Sequence, residues 1–197
     1  TEFKELVSAL KSSLAGSDWK LVLYRWEADS DTGALDFSDL DYRNPVRAAE
    51  IGHRHGQHLG ELLVRNFTGL HSVHLIAHSA GAWVARSAAR SILKGSSIAI
   101  AQVTILDPFM PTALFPPPDT VLGPAVMSAF SSIAENSRLV TLENYYADEL
   151  TFGTQEVFAW RGRDINRQID WDSFGSTYYR SHAGPIQFYA DTVNAFS

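Results

Sequence analysis

Cysteine is absent from this chain of 197 residues. Its absence excludes disulfide bonds, thiol nucleophiles and zinc sites built on thiolates. Positive charge is scarce as well, because 16 Lys and Arg face 22 Asp and Glu and leave a net charge of −6. That balance argues against a nucleic-acid partner. No apolar run reaches the roughly 20 residues that a membrane-spanning helix needs, so no transmembrane segment is predicted.

What remains is the composition of an ordinary globular domain, with 45% hydrophobic and 19% charged residues. The length suits a single domain over residues 1–197. Predicted strands and helices alternate along it. The predicted strands are short and rich in β-branched or aromatic residues: 20–26, 72–77, 98–106, 138–146 and 156–160. The predicted helices have amphipathic spacing or cap residues: 3–14, 45–67, 81–93, 125–135 and 185–196.

Several of these strands are apolar on both faces, which is typical of a parallel sheet covered by helices on both sides. The predicted fold class is therefore α/β with a mostly parallel sheet. Six of the eight prolines fall within residues 108–124, which predicts a loop. The apolar segment 108–136 is then either part of the core or a lid or wall that receives an acyl chain.

One stretch carries a recognisable chemical pattern. A buried strand is predicted to end at Ala77, a helix to begin near Ala80, and Ser79 to occupy the turn between them. In such a nucleophile elbow the positions two before and two after the serine must be small, and here they are Ala77 and Gly81. The backbone N–H of Ala80 would point to where an oxyanion forms. The structural alternative is a serine that only caps the helix.

With this turn the sequence resembles the α/β-hydrolase family, and more locally its pancreatic-lipase-like branch of lipases and esterases. Ala77 replaces the first glycine of the usual Gly-x-Ser-x-Gly motif. The resemblance covers about residues 1–110 and the last 20. Its other parts are a strand, a long helix and an aspartate motif: Tyr24-Arg25-Trp26, residues 44–63 and Ile105-Leu106-Asp107-Pro108.

A catalytic serine needs a base, which is itself oriented by an acid. In α/β-hydrolases the chain order is serine, acid, histidine. Of the seven histidines only His182 follows Ser79, so it is the predicted base, in a loop that opens the last helix. Two acids stay open, Asp107 and Asp148, each after a predicted strand. Asp107 is favoured because its Leu-Asp-Pro matches the motif in which pancreatic-type lipases carry their acid.

The resemblance implies a serine hydrolase that cleaves lipid-like or simple acyl esters and uses no cofactor. Ser79 would attack the acyl carbon, His182 would move the proton, and Asp107 or Asp148 would orient the imidazole. Substrate contacts are predicted from residues beside the elbow and after the acid: His78, Phe109 and Met110. A thioesterase or acyltransferase would share this triad. A non-catalytic binding protein with a hydrolase fold is the alternative from another class.

Three histidines on the second predicted helix could suggest a metal site: His53, His55 and His58. No Asp, Glu or Cys nearby completes a zinc geometry, so no metal is predicted. Glycines four residues apart on the same helix instead predict close packing against another helix: Gly52, Gly56 and Gly60.

The first residue, Thr1, is not Met, and we expect a processed or incomplete N-terminus. In the resembled fold the second oxyanion donor comes from a loop before the first helix, and the strands before that helix complete the sheet. We therefore expect a longer polypeptide, or a partner chain, to supply them. Localisation is left open by the sequence.

Overall fold

The computed structural model describes residues 2–26, 29, 43–108, 133, 136–147, 165–169 and 178–195. Helices and strands alternate through most of these ranges. The helices are α1 (Glu2–Ser13), α2 (Arg43–Asn66), α3 (Gly81–Gly95) and α4 (Tyr178–Ala195). The strands are β1 (Ser72–Ser79), β2 (Ala99–Pro108), β3 (Leu139–Tyr146) and β4 (Ile165–Gln168).

The described strands form one sheet in the order β1-β2-β3-β4. Every pairing is parallel, with Ala77 beside Ile105 and Leu106 beside Tyr145. Because all strands run the same way, their carboxyl ends meet at one edge of the sheet. Ser79 is the last residue of β1 and therefore lies at that edge.

The larger core lies between the sheet and helices α2 and α3. Trp83 of α3 is only 1% exposed and packs with the inward side chains of the strands, such as Leu75 and Ile105. The other face is covered by α1 and α4, where Leu6 and Tyr189 pack with Leu106. Helices thus lie on both faces of a parallel sheet, which confirms the predicted fold class.

Helix α2 approaches α3 through its glycines, as the sequence predicts. A Cβ built on Gly56 would lie 2.3 Å from the carbonyl oxygen of Val84 and 2.6 Å from the Cβ of Ser87. A Cβ on Gly60 would lie 2.6 Å from the Cβ of Ser91. Real Cβ atoms do not approach other atoms so closely, so the two helix backbones can touch here only because the side chains are absent.

The strand predicted at 20–26 is wrong. These residues belong to no strand, and Val22 and Leu23 are more than half exposed. A strand needs a neighbour for its hydrogen bonds, and none of the described strands pairs with this segment. Its aromatic side chains instead lie against α2, where the Tyr24 hydroxyl is 2.8 Å from Nδ1 of His55. The Trp26 ring is centred 5.6 Å from the same imidazole.

Two further boundaries differ from prediction. Strand β4 was not predicted, because Ile165-Asn166-Arg167-Gln168 is mostly polar. The last helix begins at Tyr178 rather than at Pro185, which lies inside it. A proline within a helix removes one hydrogen bond, to the carbonyl four residues earlier, and here the helix continues on both sides. The strand predicted at 156–160 lies outside the described residues, as does segment 108–136 except Pro108, Ile133 and Asn136.

Candidate active site

Ser79 occupies a strained turn between β1 and α3. Its φ of 53° lies in the left-handed region, which non-glycine residues other than Asn and Asp rarely adopt. The helix begins two residues later, at Gly81. A left-handed serine directly between a buried strand and a helix is the backbone geometry of a nucleophile elbow.

The residues on either side of this turn approach each other, as predicted. A Cβ on Gly81 would lie 3.7 Å from the Cβ of Ala77, which is an ordinary van der Waals contact. The closeness is therefore confirmed, but the contact itself leaves room for a methyl group at position 81.

The alternative in which Ser79 merely caps α3 is wrong. The N-cap position belongs to Ala80, which makes no side-chain capping hydrogen bond. The N–H groups at a helix start have no acceptor within the helix and carry a partial positive charge. The turn after Ser79 thus offers backbone N–H groups to an anion rather than to a capping side chain.

Asp107 lies beside this turn, near the end of β2. In the register between the two strands His78 pairs with Leu106 and Ser79 with Pro108, so Asp107 is the extra residue of a bulge. Its φ is 46°, and its side chain is fully buried. Bulges of this kind re-aim a side chain at the end of a strand.

A backbone group of the next strand holds the Asp107 carboxylate. The N–H of Ala147 donates to Oδ1 of Asp107 at 2.9 Å, directly after the end of β3. The sequence does not predict this contact, because the donor is a backbone N–H and the residue type does not indicate what such a group binds. Only the register of β2 and β3 brings the two together.

The other predicted site residues are described only in part. His182 lies within α4 rather than in a loop before it, and its side chain is outside what the structure describes. Asp148, Phe109 and Met110 are outside the described residues altogether. His78 is half-buried and directly precedes Ser79. Of the predicted residues, the described part of the chain therefore brings together Ser79, Ala80, His78 and Asp107.

Two of the three histidines of α2, His53 and His55, have partners within the protein. Nδ1 of His53 is 2.6 Å from the Ser87 hydroxyl, and its Nε2 is 3.1 Å from the Gln57 amide. His55 contacts Tyr24 through Nδ1 and Asp29 through Nε2, the latter at 3.1 Å. Both nitrogens of each ring are thus engaged. The described residues contain no group of three or more His, Cys, Asp or Glu that could hold a metal ion.

A second polar cluster crosses the middle of the sheet, on the face covered by α1 and α4. We call it the Thr104 network: His74, Gln102, Thr104 and Glu143. The Thr104 hydroxyl donates to Oε2 of Glu143 at 3.0 Å. The same oxygen accepts from the Gln102 amide at 3.0 Å and lies 2.9 Å from Nε2 of His74. Since a hydroxyl has one hydrogen and two lone pairs, His74 must donate from Nε2.

Burial shifts both titratable members of the Thr104 network. It lowers the pKa of His74 to about 4, so the ring is neutral at pH 7. It raises the pKa of Glu143, while hydrogen bonds from Thr104 and Gln102 oppose that rise. His74 precedes Ser79 by five residues, or roughly 16 Å along the strand. The network is therefore separate from the site at Ser79.

The family comparison agrees with this fold. The family model for the alpha/beta hydrolase family matches residues 3–191, which is nearly the whole chain. The protein therefore belongs to the alpha/beta hydrolase family, whose members are generally hydrolytic enzymes. Searches against curated proteins and against solved structures found no match. Within the described ranges, no helix combines the length and the apolar character that crossing a membrane requires.

Proposed function

We propose that this protein is a serine hydrolase that cleaves carboxylic esters through an acyl-enzyme on Ser79. The observation that carries the proposal is the left-handed backbone of Ser79 between β1 and α3. The buried Asp107 at the end of the neighbouring strand supports it. Within the family, we assign the chain to the lipase and esterase branch.

In the proposed reaction, His182 takes the hydroxyl proton of Ser79 as the oxygen attacks the acyl carbon. The N–H of Ala80 stabilises the oxyanion that forms. The tetrahedral intermediate then collapses, and His182 returns the proton to the departing alcohol. Water, activated by the same imidazole, hydrolyses the acyl-enzyme and releases the carboxylic acid and Ser79.

Asp107 is the proposed acid that orients the imidazole. Its complete burial and its hydrogen bond from the Ala147 N–H give its carboxylate a fixed position beside the Ser79 turn. A fixed acceptor of this kind is what holds a catalytic histidine in one tautomer and one orientation. Asp148 stays the alternative acid.

The proposed substrate is a lipid-like or simple acyl ester, contacted by His78, Phe109 and Met110. We further propose that residues 1–197 form one domain in which segment 108–136 is a wall or lid over the acyl chain.

A thioesterase or acyltransferase would use the same triad. A matched pair of an oxygen ester and a thioester of one acyl chain, assayed with and without an alcohol acceptor, separates these activities.

Labelling with a fluorophosphonate tests the proposed nucleophile. The wild-type chain should be labelled once, and Ser79→Ala should not be labelled. Ser87→Ala is the matched control, because Ser87 also contacts a histidine, His53, but is only 1% exposed. That variant should label like the wild type.

Circular dichroism of each variant confirms that the fold is retained. Labelling that persists in folded Ser79→Ala would contradict the proposed nucleophile. A folded wild-type chain that is not labelled at all would instead favour the non-catalytic alternative.

A further inference from the structure

Three arginines and a histidine meet along the seam between α2 and α3. Arg86 and Arg90 are four residues apart on α3, which places them on one face of that helix. Arg54 is exposed on α2, and His53 directly precedes it. We call these residues the Arg86 cluster: His53, Arg54, Arg86 and Arg90. The cluster belongs to neither the candidate active site nor the Thr104 network.

The close approach of the two helices brings these side chains together. Gly56 lets α2 lie so near to α3 that a Cβ on it would be 2.6 Å from the Cβ of Ser87. Ser87 directly follows Arg86. Nδ1 of His53 is 2.6 Å from the Ser87 hydroxyl, so the imidazole of α2 reaches across the seam to the turn of α3 that carries the arginines.

The cluster concentrates charge of one sign. Burial lowers the pKa of Arg86, and the charge of Arg90 lowers it further. Burial also lowers the pKa of His53, and the charges of Arg86, Arg90 and Arg54 add to that effect. Among the described residues, the charges that act on His53 are thus all positive, and Glu50, one turn before Arg54, is not one of them. Like charges so close together repel, and a bound anion would relieve that repulsion.

Arg86 is ordered against the core. Its guanidinium carbon lies 5.8 Å from the centre of the Trp83 ring, within the range of a cation–π interaction. Trp83 itself is only 1% exposed, so the ring is a fixed support. A guanidinium that is already ordered loses less conformational entropy when it binds an anion.

We propose that the Arg86 cluster binds a phosphate group, either of a soluble phosphate monoester or of a lipid headgroup. One carboxylate balances a single cation, whereas a phosphate monoester carries about 1.5–2 negative charges at pH 7. Its oxygens also accept paired hydrogen bonds from planar guanidinium groups. A long polyanion such as a nucleic acid fits less well, because the chain as a whole has a net charge of −6 and would repel it.

The first experiment titrates inorganic phosphate into the protein at constant ionic strength and follows the NMR signal of the His53 ring. Bound phosphate should raise the pKa of His53 by about one pH unit or more, because a nearby opposite charge favours the protonated ring. The Gln57 amide, 3.1 Å from Nε2 of His53, can turn its oxygen toward the added proton. The variant His53→Gln assigns the signal, which should be missing from its spectrum.

Two arginine variants show where the phosphate binds. Arg90→Gln should weaken phosphate binding by about tenfold or more, because it removes a charged hydrogen-bond donor from the cluster. Arg65→Gln is the matched control, since it removes the same charge from α2 at a position that lies 3.5 Å from Glu61 instead. It should bind phosphate like the wild type. Circular dichroism verifies the fold of both variants.

Vesicles of phosphatidylcholine with and without phosphatidic acid separate the two sources of phosphate. Cosedimentation that requires phosphatidic acid and is lost in Arg90→Gln would support a lipid headgroup. Saturable phosphate binding without cosedimentation would support a soluble monoester. An unchanged pKa of His53 at high phosphate, or equal weakening by the two arginine variants, would overturn the site. None of these measurements follows ester hydrolysis.

Discussion

Replacing Thr104 by valine should destabilise the protein strongly, although the two side chains have nearly the same shape. The hydroxyl of Thr104 is fully buried and serves three partners at 2.9–3.0 Å: Glu143, Gln102 and His74. Valine keeps the packing and removes all three hydrogen bonds. The perturbation therefore tests the polar network alone.

The magnitude follows from the hydrogen bonds that are lost. Glu143 is 9% exposed and keeps its hydrogen bond from Gln102, so the loss of the Thr104 donor costs this carboxyl about 1.5–3 kcal/mol. Gln102 and His74 are half-buried and each loses one hydrogen bond between neutral groups, so each adds about 1 kcal/mol. We expect a total loss of at least about 3 kcal/mol in the free energy of unfolding. For a domain of this size that lowers Tm by roughly 6–12 °C or more.

The loss should also depend on pH. Burial raises the pKa of Glu143, and the Thr104 hydrogen bond opposes this, so the variant should raise it further. A carboxyl whose pKa is higher in the folded state binds more protons there, and stability falls as pH rises through that range. The difference between variant and wild type should therefore be larger at pH 8 than at pH 5.

Urea unfolding at both pH values, followed by circular dichroism, measures these differences. Thr104→Ser is the control, since it retains the hydroxyl and loses only a methyl group, at a cost of about 1 kcal/mol. If Thr104→Val were as stable as Thr104→Ser at pH 8, the hydroxyl would contribute little and the reasoning would fail.

Three further predictions concern packing, pH and catalysis. Gly56→Ala should lower the free energy of unfolding in urea by about 2 kcal/mol, since its Cβ would lie 2.3 Å from a backbone oxygen. The control Gly95→Ala, whose Cβ would have nothing within 4 Å, should not lower it. Equal stabilities of the two variants would contradict the close helix contact. The pKa of His74 falls to about 4 on folding, so the unfolded chain binds the proton more tightly and stability should rise by about 3 kcal/mol from pH 4 to 7. The variant His74→Gln should flatten that rise in stability. If the dependence of stability on pH is unchanged in this variant, other titratable groups cause the rise. Asp107→Asn should lower kcat on the order of 10³-fold or more while keeping the Ala147 hydrogen bond, and Asp148→Asn should do less. The reverse order in steady-state ester hydrolysis would make Asp148 the acid.

The turn at Ser79 between strand and helix could be predicted from sequence because its signal is local. A buried apolar run, a small-x-Ser-x-Gly sequence and a helix start fall within a dozen residues, and all of them are fixed by short-range sterics. The glycines of α2 are local in the same sense, since a spacing of four residues places them on one helix face. Both expectations therefore survive in the structure.

What could not be predicted depends on pairing between distant segments. The sequence of residues 20–26 favours a strand, but a strand forms only where another lies beside it. Strand β4 is the converse case, in which a polar sequence becomes a strand because β3 offers an edge. The bulge at Asp107 and its Ala147 donor arise from the register of three strands. The residue types alone do not indicate that register.

Of the non-glycine residues that the structure describes, those with a left-handed backbone are Ser79 and Asp107. At Ser79, left-handed geometry costs a residue with a Cβ roughly 1–2 kcal/mol, and glycine would adopt it without that strain. The replacement that relieves the strain therefore also deletes the proposed nucleophile. Asp107 differs, because Asp tolerates a left-handed backbone and its buried carboxyl accepts the hydrogen bond from Ala147. Selection for stability alone would thus act against the proposed nucleophile but not against the proposed acid.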